Sequence, residues 1–129
     1  MSCDIEGTRL RNFYAGQTYE ARVKSFRDED GNKLDIEGRD YLLTLKRVLT
    51  LTDAQATGAD GYQARITATA ADSLADLVTL TIPAPASALL SGDYFADVIE
   101  IVPGSPAIVT PVIPLQTVTV IVGAGRSIA

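Results

Sequence analysis

Hydrophobic and polar residues alternate along much of the chain with a period of two, the pattern of strands that bury one face. In Thr18–Phe26, Tyr19, Ala21 and Val23 point one way while Glu20, Arg22 and Lys24 point the other. Tyr62–Thr69 sets Tyr62, Ala64, Ile66 and Ala68 against Gln63, Arg65, Thr67 and Thr69. Leu77–Ile82 sets Val78, Leu80 and Ile82 against Thr79 and Thr81. Tyr41–Leu51 spaces Tyr41, Leu43, Leu45 and Leu49 by multiples of two. Shorter or more apolar runs at Leu10–Tyr14, Tyr94–Val102, Ala107–Leu115 and Thr117–Val122 complete the expected strands. Turn residues separate them, at Ala15-Gly16, Asp28–Asn32, Asp53–Gly61, Ser91-Gly92-Asp93 and Pro103-Gly104-Ser105. Pro83–Leu90, with proline at its start and several alanines, reads as one helical turn.

The count and close spacing predict an all-β domain: an antiparallel, Ig-like β-sandwich or a small barrel of seven or eight strands, with at most one short helical turn. The domain is expected over residues 10–122, between a flexible segment at 1–9 and a C-terminal tail at 123–129. All six prolines lie within residues 83–114. Central strands tolerate proline poorly, so Pro111 and Pro114 mark an edge strand or a bend.

Charge adds an asymmetry to this picture. The chain has 129 residues and a net charge of -5. Residues 1–65 hold 10 basic and 11 acidic side chains, whereas residues 66–129 hold one basic residue, Arg126, and five acidic ones. A half so poorly charged is either largely buried or covered by a partner. The apolar strands within it make Ile108, Val109, Val112, Ile113, Leu115, Val118 and Val120 the expected interface residues. Ile101–Val122 carries no charge and is long enough to cross a bilayer, but its prolines and polar residues defeat a spanning helix. The N-terminus lacks the basic and apolar regions of a secretory signal. The acidic balance disfavours nucleic acid as a partner, and no membrane association is expected.

Candidate chemistry is sparse. The absence of His removes imidazole bases, Ser-His and Cys-His nucleophile pairs and mixed Cys/His zinc sites. Cys3, the one cysteine, has Asp4 beside it and no neighbouring cation to activate it, so it reads as an ordinary free thiol. Gly123 and Gly125 follow a strand as in a dinucleotide loop, but Ile128 stands at the third position and the pattern lacks its helix. Asp28, Asp30 and Asn32 match the first calcium-loop ligands, yet Lys33 and Arg39 replace the required Gly and Glu. A solvated hairpin turn is the better reading. Asp72 with Asp76, and Asp93 with Asp97, are the nearest paired carboxylates, with Asp97 read as a structural hydrogen-bonding residue. The basic run Arg9, Arg11, Arg22, Lys24 and Arg27 is interleaved with acids and reads as a solvated face or partner contact. No catalytic residue, cofactor or metal is expected.

In its ordered motifs the chain resembles small β-sandwich proteins of tailed bacteriophages, in particular the N-terminal virion-attachment domains of baseplate and tail-fibre proteins. The resemblance rests on Gly16-Gln17-Thr18 before the first long strand, the Asp28–Gly31 hairpin and Leu34-Asp35-Ile36-Glu37-Gly38. It continues through Leu80-Thr81-Ile82-Pro83, Gly92-Asp93-Tyr94-Phe95-Ala96-Asp97-Val98 and the closing strand Thr117–Val122, and so covers about residues 10–122. Gln17 stands where Asp is common, and Ile36-Glu37-Gly38 where Leu-Thr-Gly is usual. The resemblance implies a non-enzymatic virion component, made in the bacterial host cytoplasm, at the tail, baseplate or fibre attachment site. It would act by self-association, with a trimer as the first expectation, and by docking to other virion proteins. A capsid decoration or head-to-tail connector is the alternative in the same class; a soluble carbohydrate- or protein-binding module is the alternative outside it.

Overall fold

A computed structural model describes residues 4–5 and 10–122. It is mostly β, 49% strand against 12% helix. The strands in chain order are β1 (Asp4–Ile5), β2 (Phe13–Tyr14), β3 (Tyr19–Lys24), β4 (Asp40–Lys46), β5 (Gly61–Thr67), β6 (Leu77–Ile82), β7 (Gly92–Val102) and β8 (Ile108–Ile121). They form two sheets, a smaller one in the order β1-β3-β6 and a five-stranded one in the order β2-β8-β7-β4-β5.

The predicted alternation is what joins the sheets. Tyr19, Ala21 and Val23 of β3 and Val78, Leu80 and Ile82 of β6 are buried in one cluster with Tyr41, Leu43 and Leu45 of β4 and Tyr94, Ala96 and Val98 of β7. Ile36, in the connection after β3, is also fully buried there. Aliphatic side chains and alanine fill most of this core, with Phe13 stacked on Tyr19 at 4.3 Å. At about 25 cal/mol per Å² of apolar surface removed from water, such burial is the main favourable contribution to folding.

Five expectations are corrected. The strand pairing is mixed and not purely antiparallel: Asp4 pairs in parallel with Arg22, and Phe13 with Val120. Both parallel pairs are two residues long and join the start of the chain to later strands. Phe13–Tyr14 is also all that forms of the strand expected at Leu10–Tyr14. The sheets do not close into a barrel. β5 and β6 end their respective sheets without pairing and leave a cleft of about 410 Å³ between Tyr62–Ile66 and Thr79–Thr81.

Helix is also more frequent than one turn. Besides α2 (Ala84–Ser87), there is α1 (Ala70–Ala75) and a 3-10 turn at Asp53–Gln55. The hydroxyl of Thr69 accepts from the Asp72 N–H, and the Asp72 carboxylate accepts from the Thr69 N–H. That reciprocal capping box starts α1, and Asp76 at φ 58° ends it. The motif Thr-Ala-Ala-Asp was visible in the sequence, but the alternation before and after it masked the signal. The expected segments 1–9 and 123–129 lie outside the described residues apart from Asp4–Ile5.

The last correction concerns the strands expected at Ala107–Leu115 and Thr117–Val122, which are one strand, β8. Gln116 does not turn the chain: its Oε1 accepts from the Leu10 N–H, and its Nε2 donates to the Pro114 carbonyl. Pairing runs from Ala96↔Gln116 to Val98↔Ile113 and then Ile99↔Pro111. At each step β8 advances one residue more than β7, so two bulges coincide with the Pro111 and Pro114 region. Proline carries no N–H for a ladder, and a bulge absorbs that loss. β2 pairs only with Val120 and Ile121, so the proline-bearing part of β8 is also an edge.

Candidate functional site

The face of the five-stranded sheet turned away from the core mixes polar and apolar side chains, with an apolar patch near its middle. Register places Leu42 of β4 beside Ile99 of β7, and Asp40 beside Ile101, which in turn pairs with Val109 of β8. β4 is the reason this face is unusual. Its burial covers five consecutive positions, Tyr41–Leu45, so both Leu42 and Thr44 are buried although they alternate with the core residues. A groove of about 230 Å³ is built there. Leu42 and Thr44 form its floor; Leu49, Phe95, Ile99 and Leu115 form its sides. Phe95 and Leu115 are exposed, Leu115 at 54%.

Asp97 sits in the middle of this groove, opposite Thr44 in the strand register. The nearby Lys46 Nζ is already engaged, 2.8 Å from Asp53 Oδ1. The Asp97 carboxylate makes no hydrogen bond among the described residues, and the cation beside it in the groove, Lys46, is shared with Asp53. Burial pushes its carboxyl above the usual Asp range; Lys46 pulls the other way and Asp53 adds to the rise. The reading of Asp97 as a hydrogen-bonded structural residue is thus replaced by a half-buried acid without a hydrogen bond, attracted only by the charge of Lys46.

A stability consequence follows for Asp97. A carboxyl raised in the folded state binds its proton more tightly than in the unfolded chain, so its stabilising contribution is present in acid and is lost as pH rises through the folded value. Asp97→Asn is expected to raise the melting temperature at pH 7, with the gap closing as pH falls toward about 4, the ordinary Asp value. Thermal melts of both proteins across that range measure it. An Asn variant that melts lower at pH 7 would mean that the carboxylate has a stabilising partner.

The other acidic candidates do not converge. Asp93 and Asp97 are four residues apart on one strand, a separation of about 13 Å, and Asp93 accepts from the Thr119 hydroxyl at 2.7 Å. Asp72 caps α1. Asp76 is engaged too: burial would raise its carboxyl, but the Arg27 guanidinium at 2.7 Å and the Phe26 N–H hold it below the ordinary range. Asp28 Oδ1 accepts from the N–H groups of Asp30 and Asn32, so this loop is a self-satisfied hairpin turn, closed by the Arg27↔Lys33 bridge. Among the described residues no group of three potential metal ligands converges, and no helix is long and apolar enough to cross a membrane. Cys3, Gly123, Gly125 and Ile128 lie outside the described residues, as does Arg9 of the basic run.

The expected interface residues divide by burial. Ile113, Val118 and Val120 are 0–2% exposed and belong to the chain's own core, so they are withdrawn as contact residues. Val112 packs partly against that core. Ile108, Val109 and Leu115 are exposed. The sequence could not separate these sets, because the bulges shift which β8 residues face inward. It also missed Leu42, Phe95 and Ile99. Of the five tyrosines, Tyr19, Tyr41 and Tyr94 are core residues; Tyr62 is half-buried and Tyr14 exposed. They do not form the exposed aromatic platform that a carbohydrate-binding reading would need.

Comparisons with protein-family models, curated proteins and solved structures return no match.

Proposed function

We propose that this chain is a non-enzymatic structural component of a tailed-phage particle, a connector at the tail, baseplate or fibre attachment site that acts by self-association and docking. The virion assignment rests on the sequence resemblance over about residues 10–122. The docking role rests on the exposed apolar patch of Leu49, Phe95 and Leu115 around the groove. Two sheets packed on a shared core support reading the domain as an Ig-like β-sandwich. The structural uses of Asp28, Asp72, Asp76 and Asp93 support a non-enzymatic reading.

Docking through the sheet face is favoured over pairing through the β8 edge. Pro111 and Pro114 remove two backbone donors from β8, and the adjacent bulges break its regular repeat. A face retains its apolar contact area regardless of the ladder. Three copies would assemble as a ring, each presenting this face to a different patch on the next.

The test is the mass in solution, measured by light scattering after size exclusion at increasing concentration. The wild-type chain is expected at three times the monomer mass of 13.7 kDa. Leu115→Glu places a charge on the exposed groove wall and is expected to give a folded monomer with unchanged circular dichroism. A wild-type protein that stays monomeric at all concentrations overturns self-association. Mass spectrometry of purified particles tests the virion assignment, and absence of the chain from them overturns it.

A further inference from the structure

An outer strand of a sheet that carries no protection is a template for another strand. β1 and β2, at two residues each, are too short to act as one. The part of β8 beyond β2 carries Pro111, Pro114 and two bulges. The part of β3 beyond β1 carries Glu20 and Lys24. β5 opens on Gly61 and bears Arg65 at its exposed side. β6 has none of these defences. Its six residues, Leu-Val-Thr-Leu-Thr-Ile, include no charge, proline or glycine. They pair with β3 from Tyr19↔Ile82 to Lys24↔Leu77 without a bulge. Among the described residues, β3 is the one strand that pairs with β6. Its other edge therefore presents backbone N–H and C=O groups, at alternate residues, to the cleft it shares with β5.

The cleft limits what can use those groups. Its walls are Tyr62–Ile66 of β5 and Thr79–Thr81 of β6, around about 410 Å³. A row of backbone donors and acceptors at strand spacing is matched by another extended backbone. A second folded copy offering its own β6 would bring its β5 alongside, because the two strands flank one cleft in every copy. A lone strand needs only about 4.8 Å beside β6. Side chains directly opposite each other share a face of the sheet. Those that meet Val78, Leu80 and Ile82, all fully buried, turn toward the core and must be apolar. Those that meet Thr79 and Thr81 turn outward and suit hydroxyl or β-branched groups.

We propose that the free edge of β6 receives an extended segment of a separate polypeptide, with apolar and polar side chains in alternation. The segment matches β6 in length, six residues, and adds a fourth strand to the sheet β1-β3-β6. This goes beyond the self-association proposed above. That contact joins copies through a sheet face around Leu115, whereas this one takes another chain through a sheet edge.

The experiment uses the full chain and a synthetic probe, the capped peptide Leu-Val-Thr-Leu-Thr-Ile copied from β6 itself. Hydrogen exchange followed by NMR reads each β6 amide with and without the peptide. At saturation the free-edge amides should exchange about tenfold more slowly, and those already bonded to β3 should change less. Two further peptides carry N-methyl groups on alternate residues, one form for each edge of the strand. Methylation of the edge facing β6 should abolish the protection, and methylation of the opposite edge should leave it. Protection that survives both methylated forms, or none with the parent peptide, overturns the proposal. Protection that rises with protein concentration alone makes a second copy the occupant and overturns it too. Leu115→Glu should bind the peptide as the wild type does. A failed β6 test therefore leaves the sheet-face contact standing, and a monomeric wild type leaves the β6 site standing.

Discussion

Replacing Gly61 by alanine is expected to destabilise the protein by about 3 kcal/mol or more, at the upper end of the effect of forcing extra atoms into a packed site. Gly61 opens β5 and pairs with Lys46 at the end of β4. A methyl group there would lie 2.0 Å from the Leu45 carbonyl oxygen and 2.9 Å from its carbon. Both are backbone atoms of a central strand, so no side-chain rotation relieves the overlap. The φ of +155° adds to the restriction. The loop from residue 47 to residue 60 returns at this point, with the Arg47 N–H donating to the Asp60 carbonyl. Urea unfolding should show a lower midpoint with an unchanged slope. Gly31→Ala is the control. Its φ is +82°, but nothing lies within 4 Å of the added methyl, so the expected loss is only about 1 kcal/mol, from the left-handed backbone. Equal effects at the two sites would mean that β4 and β5 do not approach this closely.

Tyr41→Phe is expected to cost about 2 kcal/mol through a single oxygen atom. The Tyr41 hydroxyl donates to Glu100 Oε2 at 2.5 Å, and Arg39 Nη1 lies 3.3 Å from Oε1. Tyr41 is fully buried and Glu100 is 8% exposed. Burial pushes the Tyr41 hydroxyl well above its ordinary range, and the Glu100 carboxylate beside it pushes the same way. Both effects favour the protonated phenol, the form that donates to Glu100. Removing it leaves Arg39 on Oε1 but takes the donor from Oε2, and an unmet buried acceptor is expensive. Glu100→Gln should cost less, because the amide oxygen still accepts from Tyr41. Combining Tyr41→Phe with Glu100→Leu should recover much of the loss, since replacing both partners removes the unmet polar group. A double-mutant cycle by urea unfolding measures the coupling. Additive losses would show that the two groups do not depend on each other.

The legibility of this chain in its sequence follows from the range of the forces involved. Alternation alone places Tyr19, Ala21 and Val23, and likewise Val78, Leu80 and Ile82, on one face of their strands, and all six are buried. A strand with one buried face imposes period two locally, so no knowledge of the partner strand is needed. β4 did not follow this rule at Leu42 and Thr44, which are buried from the other face by neighbours on β7 and β8. The Asp28 turn was equally readable, because its hydrogen bonds close within five residues. α1 could have been recognised from Thr69 and Asp72, whose capping contacts are also local.

The candidate groove was not readable in this way. Leu42, Phe95, Asp97 and Leu115 come from three strands, and their meeting depends on register across β4, β7 and β8. Two bulges alter that register, and a shift of one residue exchanges a strand's inner and outer faces. For that reason Ile113 and Val118, expected at an interface, are core residues, while Leu115 between them is exposed. Pro111 and Pro114 correctly marked an edge or a bend; the structure makes them both.

By itself, then, the sequence determined the β class, the inward residues of β3 and β6, the hairpin turns and the acidic, charge-poor second half. Each of these depends on neighbours within a few residues or on composition. The tertiary structure alone decided the mixed pairing, the open seam between β5 and β6 and the placing of half-buried Asp97 in a groove between three strands. Those depend on which distant strands meet and in what register, and no local pattern carries that information.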